Sequence, residues 1–119
     1  MRPFIASDLG MVNEWCLAHG REAVPLNRLP GMGLIVPGVA CGFLYRTDST
    51  LALLEGFVTN PGASLRSRSA ALDAITEGLI SYARGCYLMA VCTAGGTARR
   101  APRHGFRHPQ PAVVLGMEA

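Results

Sequence analysis

The sequence predicts an α/β fold in which a mixed, mostly antiparallel sheet of about six strands carries helices on both faces. Three observations predict it. Between Leu34 and Thr59, short apolar runs are punctuated by the turn signals Pro37-Gly38 and Asp48-Ser49, the pattern of consecutive short strands. From Leu65 to Ala83, Leu72, Ile75, Leu79, Ile80 and Ala83 recur at helical spacing and build one apolar face. "CYLMAVCT", residues 86–93, is a nearly continuous apolar run, as expected of a strand covered on both sides. With 119 residues, 50% of them hydrophobic and 16% charged, the chain suits one domain over residues 1–119, and the composition argues against disorder.

The elements follow in order. "RPFIA" reads as a short first strand, and Ser7 or Asp8 can cap a helix through "DLGMVNEWCLAHG" that stops at Gly20. "REAVPLNRLPGMG" is broken by Pro25 and Pro30 and reads as loop. "LIVPGVACGFLYRTDSTLALLEGFVTN" supplies three strands. The helix from Leu65 to Ala83 is about five turns long and is stopped by Gly85. After the buried strand, "GTARRAPRHG" reads as a short helix cut by Pro102, and "PAVVLGMEA" as a closing strand.

Composition narrows the function classes. No apolar run reaches the ~18 residues of a spanning helix, and "MRPFIASDLG" lacks the apolar block of a signal peptide. The expected location is cytoplasmic, with no membrane partner. All 11 basic residues are arginine, whose planar fork suits phosphate and carboxylate. Arg99, Arg100, Arg103 and Arg107 could track a nucleic-acid backbone, but a net charge of +3 and few aromatics give a poor footprint. Cys16, Cys41, Cys86 and Cys92 match neither a zinc ribbon nor a redox pair, so no metal site is expected.

"NPGASLRSRSAAL", residues 60–72, carries the most chemistry. A strand, a turn and a helix start leave several backbone N–H groups pointing one way, and the helix dipole favours an anion there. Arg66 and Arg68 add charged donors, Ser67 and Ser69 hydroxyls, and Ala70 and Ala71 leave room for a bulky anion. The plainer alternative is a capped helix with solvated arginines.

"RSRSAA", residues 66–71, following a fourth strand, resembles the GNAT superfamily of acetyl-CoA-dependent N-acetyltransferases. That family binds the coenzyme A pyrophosphate on the pattern [QR]-x-x-G-x-[GA]; here it reads R-x-x-S-x-A, with serine at the middle glycine. "HGF", residues 104–106, and "VVLGMEA" are similar to the family's Gly-Phe and closing strand. The resemblance implies acetyl-CoA as cofactor, direct transfer to an amine, and a cofactor site of Phe57, Val58, Thr59, Arg66, Ser67, Arg68, Ser69, Ala70 and Ala71. It implies Glu55 as catalytic base, on a strand whose Leu51, Leu53, Glu55, Phe57 and Thr59 share one face by a period of two. A carboxylate within "LALLEGFV" is expected to have its pKa raised by desolvation; a strand-edge glutamate paired with an arginine is the alternative. The acceptor site would use Glu14, Trp15, Glu22 and Asn27, although Trp15 among Met11, Val12 and Leu17 also reads as core.

The sequence departs from the family at two places. Ala101 stands where many relatives carry the tyrosine that protonates the leaving thiolate, and Thr93 or Ala94 where an asparagine follows the fifth strand. His104 or Tyr87 could replace the tyrosine, but His104 beside Gly105 reads as a surface residue. These departures support a second reading, a catalytically weak GNAT-like domain that grips a protein partner. The compact ending suggests a member completed by a second subunit, a homodimer.

Overall fold

A computed structural model describes residues 1–92 and 95–119. Its strands are β1 (Arg2–Pro3), β2 (Met32–Val36), β3 (Ala40–Arg46), β4 (Leu51–Thr59) and β5 (Tyr87–Ala90). Its helices are α1 (Leu9–Ala18), α2 (Leu65–Tyr82) and α3 (Gly95–Arg100). The sheet order is β1-β2-β3-β4-β5, antiparallel from β1 to β4 and parallel between β4 and β5. The β4–β5 pair is parallel because α2 lies between the two strands in sequence and returns the chain to the same end of the sheet.

Alternation along the strands sorts the core onto two faces. Leu34, Ala40, Leu44, Ala52 and Leu54 meet Ala71, Ile75 and Leu79 of α2. Ile35, Cys41, Phe43 and Val58 meet Val12, Trp15 and Cys16 of α1. Adjacent residues such as Leu34 and Ile35 thus belong to different faces, as a pleated strand requires. Burial pushes the Cys41 thiol up to about 12. Among the described residues no helix is long and apolar enough to cross a membrane, and no three His, Cys, Asp or Glu side chains gather as metal ligands.

The first strand is shorter than its sequence suggests. Only Arg2 and Pro3 pair with β2, and the Phe4 N–H adds a bond of 2.9 Å to the Gly33 carbonyl. Asp8 precedes α1 but does not cap it. Its carboxylate turns back to accept the Ile5 N–H at 2.9 Å and both arms of Arg2 at 2.7 and 2.9 Å. The Arg2 guanidinium holds the Asp8 carboxyl below its ordinary value against the opposing effect of burial, and the Ile5 N–H adds to the lowering.

β4 departs from the strict period of two. Cys41 pairs with Val58 and Phe43 with Glu55, so Gly42 faces both Gly56 and Phe57 across a β-bulge. Gly56 sits at φ 74°, in the left-handed region where a side chain is strained. A Cβ at Gly42 would lie 2.7 Å from the Phe57 ring, so that ring occupies the space left by the missing side chain. The extra residue reverses the phase of the strand. Glu55 stays on the α1 side with Leu53, opposite Phe43 and Tyr45, while Phe57 turns to the α2 side. The expectation that Glu55, Phe57 and Thr59 share one face fails at this bulge.

The closing strand is also absent: the described sheet has five strands, and "PAVVLGMEA" forms none. Val113, Leu115 and Met117 are 85 to 88% exposed. Pro109 and Pro111 lack the N–H donors that would begin a ladder, and β5 offers an edge of only four residues. The segment instead brings Glu118 to Arg28 at 3.2 Å. Thr93 and Ala94 lie outside the described residues.

Three substitutions test this architecture. Gly56→Ala should lower stability by about 1–3 kcal/mol, because a non-glycine left-handed residue costs ~1–2 kcal/mol and its Cβ would meet the Phe43 ring at 2.9 Å. Gly10→Ala, in the open on α1, should raise stability by about 0.5–1 kcal/mol in the same urea titrations. For Asp8, the folded pKa lies below the unfolded value of ~3.9, so the Arg2–Asp8 pair stabilises fully above that pH. That stabilisation is lost as the pH falls through the folded value. Asp8→Asn should be about 1–2 kcal/mol less stable at neutral pH, with a flatter acid limb than the wild type.

Candidate functional site

β4 outruns its neighbour. β5 pairs with it only from Leu51 to Leu54, and the Val91 N–H gives a further bond of 3.0 Å to the Leu54 carbonyl. From Glu55 to Thr59, no described strand lies on that side. The gap opens into a cleft of about 670 Å³ between β4, the start of α2 and the loop after α1.

The cleft gathers several of the residues read from sequence. Glu55, Phe57, Val58 and Thr59 line it from the strand, and Arg68 and Ser69 from the helix. Phe57 and Thr59 turn their carbonyls to the open edge, whereas Val58 is buried against the α1-side core. Glu55 is half-buried, and no salt bridge among the described residues involves it. Burial raises the Tyr45 phenol on the adjoining strand, and the charge of Glu55 raises it further.

Ser64 builds the start of α2. Its Oγ accepts the Ser67 N–H at 3.1 Å and its carbonyl the Arg68 N–H at 2.9 Å. The N–H groups of Leu65 and Arg66, at the first two helical positions, have no intrahelical acceptor by helix geometry. Arg68 is half-buried, and its Nε is enclosed without a partner among the described residues. A buried cationic donor of this kind is costly unless an anion or water meets it. The donor set therefore fits a phosphate group.

Other expected residues lie elsewhere. Arg66, Ser67 and Ala70 are exposed outside the cleft lining, and Ala71 is buried on the inner face of α2. Trp15 is core, 5% exposed beside Val12 and Cys16. Glu14, Glu22 and Asn27 are exposed and do not line the cleft. The loop after α1 contributes His19 and Arg21 instead. The His19 Nε2 lies 2.9 Å from the Thr59 carbonyl, and Arg21 donates to the Phe57 carbonyl at 3.0 Å. Their signal in the sequence was the helix stop at Gly20, which marks a loop start but not its direction.

A polar clamp holds the last residue of α3 and the turn after it against α2. Arg100 donates to Ser69 and, at 3.1 Å, to Asp73. His104 sits between Asp73 at 3.1 Å and Glu77 at 2.5 Å, with its side chain only 7% exposed. It is therefore not the surface residue its neighbours suggest, and both ring nitrogens are engaged. Ala101 faces a cavity of about 30 Å³ with Phe57, Cys92 and Phe106. Tyr87 is 69% exposed and does not line the cleft.

No family model and no curated protein matches the chain. Among solved structures, the crystal structure of an acetyltransferase from Trypanosoma brucei is similar to it. The TM-score is 0.61, the identity 20%, and the match covers 98% of this chain and 97% of that one. The likeness is one of fold: the chain has the mixed α/β architecture of that acetyltransferase.

Proposed function

We propose that this protein is an N-acetyltransferase that moves an acetyl group from acetyl-CoA to an amine held in the same cleft. The observation that carries the reading is the meeting of Glu55, a strand edge that no described strand covers, and the enclosed Arg68 Nε around one cavity. The fold shared with the trypanosomal acetyltransferase supports it. Arg68 and the N–H groups of Leu65 and Arg66 would hold the pyrophosphate. The open edge at Phe57 and Thr59 would pair with an extended arm as an added strand does. Arg21 and His19 already occupy the two carbonyls there, so they would have to share or yield them.

When bound, acetyl-CoA supplies a thioester carbonyl activated toward amines. Glu55 would take the proton that the amine nitrogen sheds as its bond to the acetyl carbon forms and the carbon–sulfur bond breaks. Holding both reactants in one cleft supplies much of the rate. Ala101 offers no proton, and His104 is committed to Asp73 and Glu77. Neither residue would therefore protonate the departing thiolate, a role that falls to solvent among the described residues.

Thermal melting with acetyl-CoA tests the binding half of this reading. At about 100 times its dissociation constant, the ligand should add ~2.7 kcal/mol of stability. Arg68→Ala should weaken binding by about tenfold or more, whereas Arg84→Ala, exposed just beyond α2, should leave it unchanged. Equal affinity of the two variants would remove Arg68 from the phosphate site. An absent shift in the wild type would favour the partner-gripping reading.

Turnover tests the chemical half. Glu55→Gln should keep the fold and acetyl-CoA affinity but cut the rate by ~100-fold or more, measured below the pKa of the acceptor amine. A Glu55→Gln protein acetylating at the wild-type rate would exclude Glu55 as the base.

A further inference from the structure

The cleft holds arginines beyond the one assigned to phosphate. Arg21, Arg68 and Arg100 line it against a single carboxylate, Glu55. Arg100 is committed to Asp73 and Ser69, and Arg68 stands at the start of α2. Arg21 remains.

Arg21 reaches the cleft from the loop after α1. It is exposed, and its one side-chain hydrogen bond runs to the Phe57 carbonyl, leaving the rest of the guanidinium fork free. Among the described residues no carboxylate pairs with it. Phe57 is two residues along β4 from Glu55. Arg21 thus shares the cleft with the proposed base.

Glu55 is the only carboxylate the cleft lining offers a cationic amine, whereas a carboxylate on the acceptor would find an arginine there. The acids expected to attract a cation, Glu14 and Glu22, do not line it. A guanidinium fork with free donors matches a carboxylate. We propose that Arg21 anchors a carboxylate on the acceptor, so that the substrate is a free α-amino acid rather than a polyamine or a lysine side chain. This rests on the transferase reading above.

The test is a CoA-release assay with acetyl-CoA and matched acceptors, the common α-amino acids against their α-amides. The acetyl-CoA thermal shift is measured alongside. The wild type should favour acids over amides by about 10- to 100-fold in kcat/KM, the scale of a charge-assisted hydrogen bond. This should hold although the amine of an amide is the less basic and more often unprotonated. Arg21→Gln should collapse that ratio toward one, mainly by raising KM for the acids, with the acetyl-CoA shift retained. Arg21→Lys, which keeps the charge without the fork, should recover part of it. A wild type that turns over amides as readily as acids overturns the anchor and leaves the transferase reading standing. Loss of the acetyl-CoA shift in Arg21→Gln also overturns it, marking Arg21 as a coenzyme contact. No shift and no CoA release with any acceptor overturns both readings.

Discussion

One extra residue in β4 governs the geometry of this protein. Opposite Gly42 the strand supplies both Gly56 and Phe57, and the backbone can absorb the insertion because Gly56 adopts φ 74° without a side chain to strain it. Before the bulge, Glu55 faces α1; after it, Phe57 faces α2 and fills the space above Gly42. A regular strand would put Phe57 on the same side as Glu55 and drive its ring into the α1 core. The bulge thus separates a carboxylate and an aromatic ring that adjoin the same cleft.

The second determinant is the length of β5. Its four residues stop pairing just before the bulge, so the far half of β4 is an edge inside the molecule. Unpaired edges are normally blunted by charge or covered by chain. Here the side chains of His19 and Arg21 lie on two of its carbonyls, which protects the edge while leaving it reachable. Arg21 makes that wall of the cleft basic, and Arg68 does so for the opposite wall at the start of α2. The positive charge of the site is therefore supplied by loop and helix, and its carboxylate by the strand that forms its floor.

α2 links the two halves of the structure. Its apolar face, with Ile75 and Leu79 fully buried, covers the sheet. Its polar face holds Asp73 and Glu77, which grip Arg100 and His104 and bring Phe106 against the core. Ser69 belongs to that grip through Arg100, so the serine that replaces a glycine of the resembled motif has a structural partner.

Local pattern was enough for much of the fold. The spacing of Leu72, Ile75 and Leu79 marked α2 within a residue of its observed bounds, because burial of one face imposes a 3.6-residue period. The turns at Pro37-Gly38 and Asp48-Ser49 separated β2, β3 and β4, because those residues favour turn geometry by themselves. Glu55, Arg68 and Ser69 were legible as cleft residues through their order along a resembled motif. The rest depended on partners distant in sequence. Trp15 is core because Phe43 and Val58 surround it, and "PAVVLGMEA" is no strand because a strand exists only when another edge pairs with it. Arg21 enters the cleft because a carbonyl 36 residues away accepts its hydrogen bond. Period and propensity act over a few residues and were readable from the chain; the bulge, the unpaired edge and the basic wall arise from contacts that only folding creates.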